Sequence, residues 1–493
     1  MAAVFSTTQF VEREAPFTAV ENRTGFEQAK KWTREKIAAY QKQRDALNAR
    51  MKQNRRQETG DAKVGENGLD PGDEASLARM NKNISRHHWE YDRTAAIAFS
   101  VYTGKTVERR NVSTRIRMPE DPWAKGSLEK DTILTGGDAY TRGAAVSAAP
   151  LSAAVALGGM PRPAFPGGRG KRRLALADWI VDKQNPLTAR VLVNRIWTWH
   201  FGIGLAGNPN NFGATGQQPT HPALLDCLAD RFMKNGWSVR KLNELILTSE
   251  TYQRTSRHPD PARLDRKDPG RDLYAVQMPR RLTAEELRDS MLAVSGELNR
   301  QVGGIPCRPD INREVALQPR QIMGGTASVY EPDPLPQQRN RRSLYAEKIR
   351  GLRDPFLETF NQPGPDKSCE LRETSTVAPQ ALTLLNSDEV QDRALAMAVR
   401  LMKEKRAADA SVQRAFELAL GRSASPAEVK ACLAYWTTVT QEESGRHYTP
   451  LEFPTRIRRT VMAEKTGEPY HFIEVLPAYE TYVPDLQPHQ TDA

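Results

Sequence analysis

Between residues 187 and 201 the apolar side chains Val191, Leu192, Val193, Ile196, Trp197 and Trp199 surround a helix axis instead of keeping to one stripe. A helix apolar on all sides is a buried helix. Arg190, Asn194, Arg195 and His200 interrupt that pattern. A buried guanidinium or amide without a partner costs several kcal/mol, so each is expected to meet a carboxylate, a carbonyl or a ligand inside the molecule. Asn185 and Pro186 are placed to cap and open this helix, and Thr220 before His221 and Pro222 is placed to cap the next. Between them, residues 202–218 carry five glycines with Asn208, Asn210 and Asn211, a loop that permits close backbone approach.

The remaining pattern is mostly helical. Residues 25–54 predict a charged helix anchored by Phe26, Trp32, Ile37, Tyr40 and Leu47, able to form a hairpin with residues 74–90 across a polar tip at 55–73. Residues 94–103, 111–118 and 132–135 read as short strands. Residues 140–170 lack periodicity and read as an extended linker. Amphipathic helices are predicted over 238–256, from the Thr283 cap to about 298, and over 375–403, 411–420 and 426–439. Gly421 stops the fourth of these, and Ser425 with Pro426 starts the fifth. Residues 303–336 and 361–373 are irregular, residues 341–350 fit strand or helix equally, and 355–360 make a short helical turn. The last fifty residues look unfinished as a fold. The fold class is mainly α: a multi-helix domain with a small N-terminal β element and a charged helical arm. The expected divisions are 1–20, a tail of an upstream domain; 21–92, the arm; 93–136, the β element; 137–171, the linker; and 172–486, the helical domain.

Composition narrows the function classes. The 493 residues are 39% hydrophobic and 27% charged, with a net charge of +11. That excess suits nucleic acid, an anionic polysaccharide or an anionic surface, although on a chain this long it is more often diffuse than a patch. No run of 18 apolar residues is present, so no membrane span is predicted, and the N-terminus is too polar for a signal peptide. The cysteines Cys227, Cys307, Cys369 and Cys432 form no Cys-x-x-Cys pair, so no metal site is expected. Cys227 and Cys432 lie in helical apolar patterns and read as core thiols, whereas Cys307 and Cys369 lie in loops and are free to pair in an oxidising compartment.

Several phrases carry a resemblance in the same order and spacing: RLALADWIVDKQNPLTARVLVNRIWTWHFGIGL, NNFGATGQQPTHPALLDCLA, ILTSETYQRTS, RRLTAEELRDSMLAVSGEL, FNQPGPDKSCELRETSTVAPQALTLLNS and FELALGR. The chain resembles the C-terminal domain, of unknown function 1553, of large planctomycete and verrucomicrobial proteins that carry a cytochrome-c-like module. The resemblance spans about residues 131–486. It implies an exported, periplasmic-type protein, with haem c only on an upstream module and no cofactor in this chain. It also implies an upstream domain or a separate cytochrome-linked chain as partner. The opening segment resembles the tail of such an upstream domain, and the end resembles a segment that precedes one more helix, so a partial chain is expected.

One constellation recurs in these phrases. Arg190, Asn194, Arg195, Arg281, Arg288 and Arg372 are candidates to hold an anion, and Arg280, Asn211, Asn361, Asp366 and Thr376 belong to the same constellation without an assigned role. Glu285, Asp289 and Gln380 are candidates to pair with those arginines. His200 and His221 are candidate bases. The reading favoured is a ligand-binding or scaffold domain of an exported cytochrome-linked assembly, because no nucleophile, metal or phosphate motif is recognisable. An enzyme domain acting on a sugar or organic anion, with an anionic glycan as partner, is the first alternative. A basic nucleic-acid binder through residues 30–56 is the second, disfavoured because no reader motif accompanies the charge.

Overall fold

The computed structural model describes residues 2–56, 69–108, 116–138, 140–152, 155, 165–166, 168–318, 320–322, 325–327, 329–366, 368–446, 453–462 and 467–485. In chain order its elements are β1 (Thr8–Glu14), α1 (Phe26–Arg56), α2 (Pro71–Glu90), β2 (Ile97–Thr103), β3 (Thr132–Leu134), β4 (Arg142–Ala145), α3 (Arg172–Val181), α4 (Thr188–Phe201), α5 (Pro222–Lys234), α6 (Val239–Leu247), α7 (Pro261–Lys267) and α8 (Ala284–Ser295). Then come α9 (Arg313–Leu317), β5 (Arg320–Ile322), β6 (Gly325–Ala327), α10 (Pro336–Arg339), α11 (Pro355–Thr359), α12 (Ala378–Asn386), α13 (Asp388–Lys403), α14 (Ala408–Leu420), α15 (Pro426–Glu443), β7 (Arg456–Met462) and β8 (Pro469–Val475). Among the described residues the strands make only two-stranded antiparallel pairs, and the fold is mainly α. Among the described residues no helix is long and apolar enough to cross a membrane. The chain divides into two compact units. The first comprises Met1–Pro16, Ile97–Arg281 and Cys369–Leu371, and the second Phe17–Ala96, Leu282–Ser368 and Arg372–Ala493.

In the first unit the core lies where α4, α5 and α6 meet. Ala189, Val193, Ile196, Trp197 and Phe201 recur at three- and four-residue spacing on α4, and they pack with Leu225, Leu228 and Phe232 of α5 and Leu242 and Ile246 of α6. Each such buried side chain contributes about 1.5–3 kcal/mol. The expectation of a helix buried on all sides is corrected here. Arg195 and Trp199, one turn apart, form an exposed ridge, because α5 and α6 cover only the opposite face. Gly202 ends α4 with φ of 81°. Two cap assignments also change. The α4 cap is Leu187, while the Asn185 carboxamide accepts from Leu187 N and donates to the Trp179 carbonyl, tying the end of α3 to the approach of α4. The α5 cap is His221, with Pro222 in the first turn as expected, and the Thr220 amide is spent on the Leu205 carbonyl.

In the second unit α1 and α2 pair through Ile37, Tyr40, Met80 and Ile84. Tyr40 stacks on His87 near one end and Arg50 pairs with Asp73 near the other, so the hairpin is antiparallel. Thr283 and Glu286 form a reciprocal capping box at α8, and Ser425 and Glu428 do the same at α15. Gly421 closes α14 with φ of 66°. The helix expected over 375–403 is two, because Ser387 adopts ψ of 140° and the acids Asp388 and Glu389 open a new first turn. The helix expected over 238–256 ends at Leu247, and the one expected to reach about 298 ends at Ser295 before Gly296. Residues 341–350 hold a short helical turn, Ser343–Tyr345, and isolated bridges from Arg341 to Asn299, Ala346 to Cys307 and Ile349 to Leu352. Unexpected elements are α9 and the β5–β6 pair, inside the stretch 303–336 expected to be irregular, and the β7–β8 hairpin, where Glu474 takes ion pairs from Arg79 of α2 and from Arg459. The strand expected at 111–118 and the tip expected at 55–73 fall largely outside the described residues. All four cysteines are free. Cys227 is exposed and Cys432 partly so, which corrects their reading as core thiols: Cys227 faces outward between the buried Leu225 and Leu228.

Candidate functional site

In the first unit the helix α4 places its polar residues one by one. Asn194 is fully buried, donates to the Ala206 carbonyl at 2.9 Å and accepts from the Ala206 amide at 2.8 Å. It therefore staples the loop that follows the helix through both ends of its carboxamide. Gly204 is required beside it, because a β-carbon there would lie 2.6 Å from the Ala206 carbonyl oxygen and 2.8 Å from the Asn194 amide nitrogen. Arg190 pairs with Asp226 at 2.6 Å and donates to the Pro186 carbonyl. Arg195 is exposed and donates to Asn210 Oδ1 at 2.6 Å, so it is not held inside the molecule as expected. The Asn210 amide in turn donates to Glu370. His200 meets Asn243 Oδ1 at 3.1 Å and His221 meets Thr220 Oγ1 at 3.0 Å; neither contacts a carboxylate that would orient it as a base. Arg280 and Arg281 are exposed and engaged.

The other candidates belong to the second unit. Arg372 grips both carboxylate oxygens of Glu285, and Gln362 adds a third hydrogen bond. Partial burial raises the Glu285 carboxyl, but the bonds from Arg372 and Gln362 outweigh it and the net direction is down. Arg288 is buried, donates to the Arg339 and Arg341 carbonyls and to Ser343 Oγ, and lies 3.5 Å from Glu389. Asp289 accepts from both the amide and the hydroxyl of Ser343 at 2.7 Å. Gln380 donates to the Thr359 carbonyl and to Ser375, which also receives Asn361. Asp366 makes a solvent-exposed pair with Arg350, and Thr376 is exposed and engaged. Of the three pairing candidates, Glu285 meets Arg372, Asp289 bonds chiefly to Ser343 with Arg288 at 3.9 Å, and Gln380 meets the Thr359 carbonyl and Ser375, not an arginine.

A third arrangement lies within the second unit and was not read from the sequence. A cleft of about 300 Å³ opens between the start of α1, the end of α2 and the segments 299–308 and 331–341. At its floor Lys36 Nζ meets Glu331 Oε2 at 2.8 Å, and His87 Nε2 lies 3.7 Å from the other carboxylate oxygen. Burial raises the Glu331 carboxyl, but Lys36, His87 and Arg308 prevail and bring it to about 2. Burial lowers the His87 imidazole against the pull of Glu331, so it is neutral at pH 7. On the wall Arg308 pairs with Glu90 at 2.7 Å and Glu347 at 2.6 Å, and Arg93 pairs with Glu90 at 3.3 Å. Arg341 donates to the Gln301, Gly303 and Ile305 carbonyls and stacks over Tyr345. Burial pushes the Cys307 thiol up to about 11, so it stays protonated. Among the described residues no group of three or more His, Cys, Asp or Glu could hold a metal ion.

The family described as PSD1, protein of unknown function (DUF1553), matches residues 172–436. The chain belongs to that family. No curated protein and no solved structure matches it. All the candidate residues from Arg190 to Gln380 lie inside the DUF1553 span, as do Arg308, Glu331 and Arg341 of the cleft. Lys36, His87, Glu90 and Arg93 lie outside it. Sequence reasoning missed the cleft because Lys36 and Glu331 are 295 positions apart and no local motif links them. The one available signal was acidic Glu331 and Asp333 set in the Pro-rich stretch of residues 331–336, next to a helical arm with few apolar anchors.

Proposed function

We propose that this DUF1553 chain is a small-molecule-binding domain and that the cleft walled by α1, α2 and residues 299–341 is its binding site. The observation that carries this reading is the cleft itself: about 300 Å³, within the range of small-molecule sites, with a compensated charge floor and polar walls. The Arg/His candidates on α4 carry less weight, because Asn194 and Arg190 are engaged in holding the fold. In the setting that the resemblance implies, haem c would sit on an upstream module of an exported assembly, and this chain would supply recognition to it. The test is a thermal-shift screen of the full chain with small polar metabolites, repeated on Gln301→Trp, which fills the cleft. A compound that stabilises the wild-type chain and not the filled variant is expected. Shifts that persist unchanged in Gln301→Trp would overturn the assignment.

A scaffold role is the second reading. It is favoured by Leu385, Tyr435 and Trp436, which are 66%, 72% and 48% exposed on α12 and α15. Loss of association with a partner upon Tyr435→Ser, with metabolite binding unaffected, would separate the two.

A further inference from the structure

We infer that the cleft recognises a neutral, hydroxyl-rich ring, a mono- or disaccharide, and not an anion. The inference rests on the small-molecule reading above and names its ligand class. Charge is the first argument. Lys36 is matched by Glu331, Arg308 by Glu90 and Glu347, and Arg93 by Glu90 with Asp333 at 3.8 Å. Arg341, the remaining cation, spends donors on three backbone carbonyls of the cleft wall. An anion entering here would have to displace a carboxylate from its partner and leave that carboxylate desolvated, which is costly. An anion site keeps cations unmatched; here Lys36, Arg93 and Arg308 each have a carboxylate partner, and Arg341, which has none among the described residues, is held by the wall carbonyls with its Nε left without a hydrogen bond.

Hydrogen-bonding capacity is the second argument. The side chains of Gln28, Gln301 and Gln337 line the cleft and make no hydrogen bond to another described residue. Each offers two donors and an acceptor with two lone pairs, the mixed set that matches hydroxyls, which donate and accept alike. The third argument is Trp32. It lines the same cleft, is partly buried, and its ring contacts no other described aromatic or cationic side chain. An indole that lines a cleft without an aromatic or cationic partner among the described residues offers an apolar surface suited to the C–H face of a sugar ring, and a donor in its N–H. Amides around the rim and one such aromatic side chain suit a pyranose better than a flat charged metabolite.

The experiment is saturation-transfer NMR on the full chain with glucose, galactose, xylose and two disaccharides. Galacturonate, inorganic sulfate and glutamine serve as probes of other classes. Variants are Trp32→Ala, Trp32→Tyr, Gln301→Ala and, as a control outside the cleft, Trp436→Ala, each checked for native circular dichroism. A neutral saccharide should bind, weaken about tenfold or more in Trp32→Ala, and recover most of that in Trp32→Tyr, with Trp436→Ala unchanged. Galacturonate should bind no better than its neutral counterpart. If sulfate, galacturonate or glutamine binds in preference and is lost in Gln301→Ala, the cleft stands as a site and the saccharide inference fails. If none of the saccharides binds, or saccharide binding survives Trp32→Ala, the inference fails as well. If every binding event survives both cleft variants, the cleft assignment falls with it.

Discussion

Replacing Glu331 by glutamine removes one charge from the cleft floor while keeping the side chain's size. The carboxylate is 7% exposed and Lys36 17%, so the pair is poorly screened. The Glu331 carboxyl moves from 4.5 to about 2 on folding. A drop of that size corresponds to about 3 kcal/mol of stability at pH 7. The known cost of stranding one partner of a buried pair, about 3–5 kcal/mol, is of the same order. The sign follows from the direction. The folded carboxyl is more acidic than the unfolded one, so its contribution is complete above about pH 4.5 and disappears as pH falls through about 2. Hydrogen exchange of α1 and α2 amides is the suitable assay, since a chain with two units does not unfold with a single free energy. Glu331→Gln should lower the opening free energy of the hairpin by about 3 kcal/mol at pH 7 and flatten its acid dependence. Lys36→Met combined with Glu331→Gln should regain much of the loss, because no ammonium is then left unpaired. A change under about 1 kcal/mol at pH 7, or equal acid slopes for the wild-type and variant chains, would refute the reasoning.

Other tests address the remaining elements. Asn194→Ala should cost about 2–3 kcal/mol in urea unfolding followed by the α4 tryptophans, since the Ala206 amide and carbonyl lose their partner; a cost under about 0.5 kcal/mol would mean water replaces it. Arg195→Ala should cost less than about 1 kcal/mol, its partner Asn210 being exposed, whereas Arg288→Ala should cost about 3–5 kcal/mol; the reverse order in thermal melts would contradict the burial assigned to each. His87→Gln should remove a loss of hairpin stability that begins in the wild-type chain as pH falls below about 6.5. There the unfolded imidazole takes a proton that the buried one resists; an unchanged profile between pH 7 and 5 would count against it.

What local chemistry decides was readable in advance. Thr283 with Glu286, Ser425 with Glu428, and Gly421 each act within one turn of backbone, and their helices start and stop where those residues say. Errors came where a distant partner decides. Arg195 looked buried because Ile196 and Trp197 follow it, yet only packing partners choose which face of α4 is covered. The β7 strand was unreadable because Arg456, Arg458 and Arg459 replace the apolar alternation that marks a strand, and its pairing with Glu474 is visible only in three dimensions. Within the candidate constellation the sequence suggested Glu285 as a partner for Arg281 or Arg288 on its own helix, whereas in the structure it meets Arg372. The partners Asp226 for Arg190 and Glu389 for Arg288 were not anticipated, since many acids in the sequence were equally eligible.

The two walls of the cleft have different origins in the chain. One is built from family sequence, residues 299–341, and the other from a hairpin, residues 24–93, that the family match does not reach. A hairpin taken from another protein would replace Trp32, Gln28 and His87 together, provided that it again offered a cation to Glu331 and a carboxylate to Arg308. Such an architecture lets recognition diverge by exchanging a single cassette, much as one jaw of a vice can be refitted without recasting the frame.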